Sequence, residues 1–364
     1  MKQTKCLVWV LCLILSTSAF SQVKWYNPLS FGDNIVHGRG WKNYNYNRLP
    51  PYAKEVVRDK VWSLSTESAG LYLVFKTNAT DIQIKYKVTG GYSMPHMPNT
   101  GVSGLDLYAL NSSSPNWCKG DFAFNGDTIR YNYQNLSING HTRENTFQLF
   151  LPLYNSVKHL EIGVDANAYL EFVEPTSNKP IIAYGTSITQ GACASRPGMA
   201  WTNILVRKLG EPLINLGFSG NGQLEPELFN LMAEIDAKLF IIDCMPNMTK
   251  ERTKLIYERV IAGVNTLRNS SDAPILLVEH DGYMGFNMNK KLKRDYEDTN
   301  IELHKAYKKL LKDGVKNIFY LSHSELNLSP DSQVDGTHAS DLGMQEYAIA
   351  YEIKIRKILK RKNK

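Results

Sequence analysis

In the stretch IIAYGTSITQG (181–191), four apolar residues run into Gly185-Thr186-Ser187, and far downstream Asp335-Gly336-Thr337-His338 sets a carboxylate three residues before an imidazole. An Asp at that spacing, in a Gly-containing loop entering a helix, can accept the proton on His338 Nδ1. This fixes the tautomer and leaves Nε2 free to act as a base. A base so placed activates a serine hydroxyl for attack on an acyl carbon, provided the fold brings Ser187 within reach. Neither stretch decides alone, because Gly, Ser and Thr crowd strand ends wherever turns are needed. The chemistry also needs donors for the developing oxyanion. Gly220, in GFSGNG (217–222), offers a main-chain N–H where backbone can approach a substrate closely; Asn247, after Pro246, offers a side-chain amide; and the N–H of Ser187 itself is a third.

These residues act together only if the chain folds them to one place, and the text of residues 176–364 is of the kind that does so. Apolar strands PIIAYG, PLINLG (212–217), AKLFIIDCM (237–245), APILLVEH (273–280) and VKNIFYLS (315–322) alternate with helical stretches near 199–209, 224–234, 250–269 and 295–313, and a closing helix begins at about Asp341. Continuous apolar strands alternating with amphipathic helices describe an α/β unit, a parallel sheet covered by helices on both faces. Ligands of such sheets bind outside the carboxyl ends of the strands. Ser187, Gly220, Asn247, the cluster Glu279-His280-Asp281 and the loop before His338 all follow strands at that end.

The order Gly185-x-Ser187, Gly220, Asn247, Asp335-x-x-His338 resembles the SGNH superfamily of hydrolases, also called GDSL-type esterases. The resemblance implies a flavodoxin-like sheet, a Ser187-His338-Asp335 triad, and an oxyanion hole of the Ser187 and Gly220 amides with the Asn247 side chain. It also implies no cofactor. Two departures stand out: the family's Gly-Asp-Ser is here Gly185-Thr186-Ser187, and Asn247 lies in DCMPN rather than Gly-x-Asn-Asp. Upstream, Gly104-Leu105-Asp106-Leu107-Tyr108 is similar to the GxDLY signature of a β-sandwich that precedes SGNH domains in some bacterial esterases. Asp106 reads as a buried, hydrogen-bonded structural residue rather than a catalyst.

Residues 22–175 are strand-like, with LYLVFKT (71–77), IQIKYKVTG (82–90), LDLYAL (105–110), FQLFLPL (147–153) and VKHLEIGVD (157–165) separated by Gly, Asn, Pro and Ser clusters. This predicts an all-β sandwich, jelly-roll-like, with no helix interrupting it. Residues 1–21 read as a secretory leader: Lys2 and Lys5, an apolar run from Cys6 to Leu15, then small and polar residues up to Ser21. Cys12 lacks the preceding small residues of a lipid-attachment site, and no later segment has the roughly 18 apolar residues of a membrane span. The expectation is an exported, periplasmic or extracellular protein. The formal charge of +7 loses two positive charges with the leader, and seven basic residues lie in the last eleven, so about −2 remains elsewhere. The basicity belongs to a helix tail and gives no footprint for nucleic acid.

Other marked residues carry weaker readings. Cys118, Cys193 and Cys244 are too few for a disulfide framework, with at most one bridge, and no metal-binding spacing appears. GFSGNG lacks the glycine spacing and acidic partner of a dinucleotide loop. Cys193 reads as a packing residue and Glu279-His280-Asp281 as loop or support. Arg196 reads equally as a contact to a sugar or acidic substrate and as a brace for its own loop. Trp41 and His96 are candidates to wall the crevice from the β-domain, with packing the favoured alternative. The function expected is a secreted serine esterase that removes short acyl groups, acetyl foremost, from acylated polysaccharide or oligosaccharide. The alternatives are a lipid or thioester acylhydrolase, or an inactive glycan-binding protein.

Overall fold

The computed structural model describes residues 22–32, 34–110, 114–137 and 144–362, so the segment read as a leader lies outside the described residues. The N-terminal part contains β1 (Val23–Tyr26), β2 (Val36–His37), β3 (Tyr72–Thr77), β4 (Ile82–Val88), β5 (Asp106–Ala109), β6 (Asn116–Trp117), β7 (Asp121–Ala123), β8 (Ile129–Tyr133), β9 (Asn145–Phe150), β10 (Val157–Asp165) and β11 (Leu170–Phe172). They form two antiparallel sheets, ordered β1-β10-β4-β8-β7 and β11-β3-β9-β5-β6, with β2 also paired to β3. Strands β4 and β8 alternate buried and exposed residues, as a sheet with one wet face must. Ile82, Ile84 and Tyr86 of β4 meet Leu73 and Phe75 of β3 and Phe147 and Leu149 of β9 in the sandwich core.

Strand β3 does not alternate, and the reason lies outside the sandwich. Its Tyr72 and Val74, with Tyr108 and Phe150, face away from that core and join Trp201, Ile204 and Leu205 in a second apolar cluster shared with the C-terminal part. Both faces of β3 are therefore covered.

The C-terminal sheet is parallel, ordered β13-β12-β14-β15-β16, from β12 (Ile181–Gly185), β13 (Leu213–Gly217), β14 (Leu239–Asp243), β15 (Ile275–Val278) and β16 (Ile318–Leu321). This is the flavodoxin-like order expected. The chain leaves β12 to one side for β13 and returns to its other side for β14, so the carboxyl end of β12 is the topological switch point. In this half α3 (Ser187–Gln190) follows β12 directly, α4 (Trp201–Leu209) and α9 (Asp341–Lys362) cover one face, and α5 (Pro226–Ala233), α6 (Ile256–Arg268) and α7 (Lys290–Lys312) cover the other; α8 (His323–Leu326) is a single turn. Among the described residues no helix is long and apolar enough to cross a membrane.

Two features of the N-terminal part differ from the sequence expectation. Helices α1 (Asp59–Ser65) and α2 (Asn99–Val102) interrupt the strands, and at seven and four residues neither is long enough to show a helical period. Moreover Leu49, Ala53, Val61 and Leu64 pack on the α/β side, against the cluster holding Ile182, Leu216 and Phe218. The change of grammar near residue 176 is thus not a boundary in packing.

Asp243 closes β14 beneath the β12 turn, fully buried, with Thr189 Oγ1 donating to its Oδ2 at 3.2 Å. Burial first, and then the nearby Asp281 carboxylate, push its carboxyl up to about 8. The folded chain keeps a proton there that an unfolded Asp releases near pH 4, so this group's contribution is complete below about pH 4 and is lost as pH rises towards 8. Asp243→Asn should flatten the fall in unfolding free energy over that window, read by urea titration at several pH values; equal slopes in the two proteins would contradict this.

Candidate active site

Gly185 ends β12 because nothing larger fits: a Cβ there would overlap Thr189 Oγ1 and crowd the Asp243 carbonyl. Thr186 caps α3, its Oγ1 accepting from the Ile188 N–H at 3.2 Å. The hydroxyl in place of the family's acid therefore has a local task, closing the turn that carries Ser187. Ser187 is the first helical residue, so its N–H has no intrahelical acceptor, and none among the other described residues.

Ser187 Oγ lies 2.9 Å from His338 Nε2, and His338 Nδ1 lies 2.7 Å from Asp335 Oδ2. Asp335 Oδ1 accepts from the N–H groups of Thr337 (3.0 Å) and His338 (2.8 Å), so the loop's own backbone orients the carboxylate. Partial burial would raise the Asp335 carboxyl, but the hydrogen bonds and charge of His338 outweigh it and hold it below the usual range. An ionised Asp335 only accepts, which places the imidazole proton on Nδ1 and the lone pair on Nε2, towards Ser187. Gln333 Nε2 ties this loop to Asp281 Oδ2 at 2.9 Å, and Asp341 ties it to the loop after α3, accepting from Ser195 N–H (2.8 Å) and Oγ–H (2.5 Å).

The loop after β13 lies against the end of β12, where a Cβ on Gly222 would overlap the Gly185 carbonyl oxygen. Gly220 sits at its exposed crest with φ +67°, and its N–H has no acceptor among the described residues. Ser219 N–H donates to Gln190 Oε1 at 3.0 Å, so the residue that ends α3 also holds this loop. The Asn247 carboxamide lies across it, its oxygen accepting from the Asn221 and Gly222 N–H groups at 3.1 Å in the orientation that satisfies both ends. Nδ2, at the other end of the amide, then carries its two donor hydrogens. The arrangement can perform acyl transfer: a nucleophile, a base with a fixed tautomer, and two unpaired N–H groups with an amide for an oxyanion.

The β-domain reaches this site from two sides. From one side, the buried Arg48 guanidinium donates to the carbonyls of Gly217 (2.6 Å), Leu64 (2.7 Å) and Glu67 (2.9 Å). The Glu67 carboxylate accepts from Gln190 Nε2, and Tyr154 Oη donates to the Ser187 carbonyl at 3.2 Å. From the other side, Asp106 Oδ2 accepts from Arg196 Nη1 (2.8 Å) and Gly198 N–H (2.6 Å), while its Oδ1 accepts from Trp117 Nε1 (2.9 Å). Thr100 Oγ1 adds a bond to the Ser195 carbonyl at 2.7 Å.

Of the candidate contact residues, His96 is at the site, exposed, its ring stacked on that of His338 with centroids 5.6 Å apart. Arg196 is bound to Asp106 and Tyr108 and lies over the Trp117 ring, so it braces its loop. Trp41 is not at the crevice. It donates to Glu234 Oε2 at 2.8 Å and lines a cavity of about 770 Å³ with Pro212 and Ile214, because the chain before β3 runs past the amino end of the parallel sheet. Cys118, Cys193 and Cys244 are buried free thiols, and burial followed by the charge of Asp335 pushes Cys193 up to about 12, which disfavours it as a nucleophile. Glu279 accepts from Tyr320 Oη and His323 N–H, both at 2.6 Å, and His280 is buried beside Tyr283, in supporting positions.

Comparison with known proteins gives the family and the fold. The model of the GDSL-like lipase/acylhydrolase family matches residues 178–356, and that of the N-terminus of SGNH-hydrolase-type esterases, GxDLY, matches 23–170. A structure from Bacteroides ovatus, assigned as a GDSL-like lipase, is 33% identical with a TM-score of 0.85, covering 93% of this chain and 98% of that one. The chain belongs to the GDSL-like lipase/acylhydrolase family. Two more distant structures share the fold of this GDSL-like hydrolase. One is a salicylyl-acyltransferase from a tetracycline biosynthetic pathway (18% identity, TM-score 0.75, 92% and 97% covered). The other is a family two carbohydrate esterase from Cellvibrio japonicus (13%, 0.54, 93% and 98%). No curated protein matches the chain.

Sequence reasoning passed over Gln190, Arg48 and Glu67. Gln190 lies three residues after Ser187, and a polar residue ending a one-turn helix beside a Gly-rich loop is the signal that marks it. Asp106→Ala would leave Arg196, a quarter exposed, without its carboxylate and Gly198 N–H without its acceptor. An unfolding free-energy loss of about 3 kcal/mol is expected in urea titrations, and a loss below about 0.5 kcal/mol would show that the pair does not hold the domains.

Proposed function

We propose that this GDSL-like hydrolase is an exported serine esterase that removes short acyl groups, acetyl foremost, from carbohydrate. Ser187 Oγ attacks the ester carbonyl as His338 Nε2 takes its proton, with Asp335 orienting the ring and stabilising the imidazolium. The Ser187 and Gly220 N–H groups and the Asn247 amide receive the oxyanion. His338 then returns the proton to the leaving sugar oxygen, and water, deprotonated by the same base, releases the acid from the acyl-enzyme. The observation that carries this reading is the line from Ser187 Oγ through His338 to Asp335, at 2.9 and 2.7 Å, beside two unpaired backbone donors.

For the substrate class, support comes from the rim. His96, Ser219, Gly220, Asn221, Asn247 and Asp335 are exposed or half-buried around Ser187, so a hydroxyl-rich leaving group finds donors and acceptors there. A lipid acyl chain would instead need an apolar wall. Relatedness in fold to a family two carbohydrate esterase adds an analogy. The charged and apolar pattern of residues 1–21 supports export.

Wild type and Ser187→Ala should be compared on a chromogenic acetate ester and on acetylated xylan and pectin. Acetate release should fall by about four orders of magnitude or more in the variant, and release independent of Ser187 would overturn the mechanism. Asn247→Ala should lower kcat by about 10²- to 10³-fold; unchanged turnover would remove Asn247 from the oxyanion hole. Faster cleavage of long-chain esters than of acetylated glycans would move the substrate to lipids.

A further inference from the structure

Next to the triad, four side chains from separate segments converge. His96 comes from the loop before α2, Cys193 from the loop after α3, and Asp335 and His338 from the loop before α9. One ligand atom from each lies within 4.8 Å of the others. Cys193 is buried at the floor, its Sγ 3.5 Å from the His96 carbonyl oxygen, whereas His96 and Asp335 are exposed at the mouth. Two imidazoles, a thiol and a carboxylate form a mixed nitrogen, sulfur and oxygen set. Zn²⁺ takes such a set in tetrahedral geometry, whereas Mg²⁺ and Ca²⁺ require oxygen shells. With metal–ligand bonds of about 2.0–2.3 Å, tetrahedral ligand atoms stand roughly 3.5 Å apart, so side-chain rotations of about 1 Å would close the cluster. No sequence spacing announces the set, because the docking of the two domains assembles it.

We propose that His96, Cys193, Asp335 and His338 form a binding site for a soft divalent cation of the Zn²⁺ kind, and that the bound cation switches hydrolysis off. The thiol proton passes to water on binding, and the thiolate and carboxylate neutralise the two positive charges. A cation on His338 occupies a lone pair or displaces the contact that the base needs, and one on Asp335 removes the carboxylate that orients the ring. Binding stands independently; the switching rests on the esterase reading above.

Co²⁺, added to the full chain in chelator-free buffer, reports binding without turnover. One equivalent should give a thiolate-to-metal charge-transfer absorption that Zn²⁺ abolishes by displacement, that Cys193→Ser lacks and that Ser187→Ala retains. Zn²⁺ should inhibit hydrolysis of the chromogenic acetate reversibly, with recovery on adding EDTA. His96→Ala should raise the half-inhibiting Zn²⁺ concentration at least about tenfold, each protein measured against its own metal-free rate. His96 is exposed, so this variant tests the site even where Cys193→Ser fails to fold. Absence of the Co²⁺ band in wild type, or equal Zn²⁺ sensitivity in wild type and His96→Ala, would overturn the proposal. If the esterase reading fails, the Co²⁺ band in Ser187→Ala still decides whether the site exists.

Discussion

Asp106 is almost wholly removed from water, and burial pushes its carboxyl up; what holds it in place is a shell of donors, most of them supplied by the other half of the molecule. Arg196 and the Gly198 N–H reach it from the loop that follows the nucleophile's helix, and Trp117 completes the shell from the sandwich. A buried carboxylate left without such partners is costly, so the loop has one place to go. Once residues 195–198 are fixed, Ser195 is positioned to bind Asp341, and Asp341 begins the helix that follows His338. The spacing between serine and histidine is in this way set through a contact made by neither.

A second connection reaches the oxyanion side. Arg48 holds the Gly217 carbonyl, Glu67 holds Gln190, and Gln190 holds the Ser219 N–H. The Gly220 N–H is free to meet a substrate because its neighbours on both sides are tied: Ser219 to Gln190, Asn221 and Gly222 to Phe218 and Asn247. Oxyanion stabilisation depends on donors that do not reorganise during the reaction. The β-sandwich provides much of that rigidity, without placing a group of its own in the proposed chemical step.

The sequence was most legible where the determinants are local. Strand and helix alternation gave the parallel sheet, and the Asp335 to His338 spacing is short enough for one turn of loop to realise it. Ser187 was legible because a strand end at a switch point is where a ligand must sit. What could not be read depends on domain docking. His96 stacks on His338 only because α2 lies over the loop after α3, and Arg48 meets Gly217 across a long stretch of chain. Trp41 was misplaced for the same reason, since its residue type suits a crevice wall but the path of the chain carries it to the opposite end of the sheet. Thr186 shows the limit of motif comparison: its departure from the family's acid becomes intelligible once its hydroxyl is seen capping α3.

Strand β3 reads as a nearly unbroken apolar run, although it belongs to an antiparallel sheet, because Tyr72 and Val74 enter the core of the other half. A sandwich cut away at residue 175 would present Tyr72 and Val74 to water, because the cluster they join belongs largely to the other half. The two halves therefore share a core, and the sandwich depends on its neighbour to cover one of its faces. Separating them would leave an apolar sheet face in water, the kind of surface that invites aggregation.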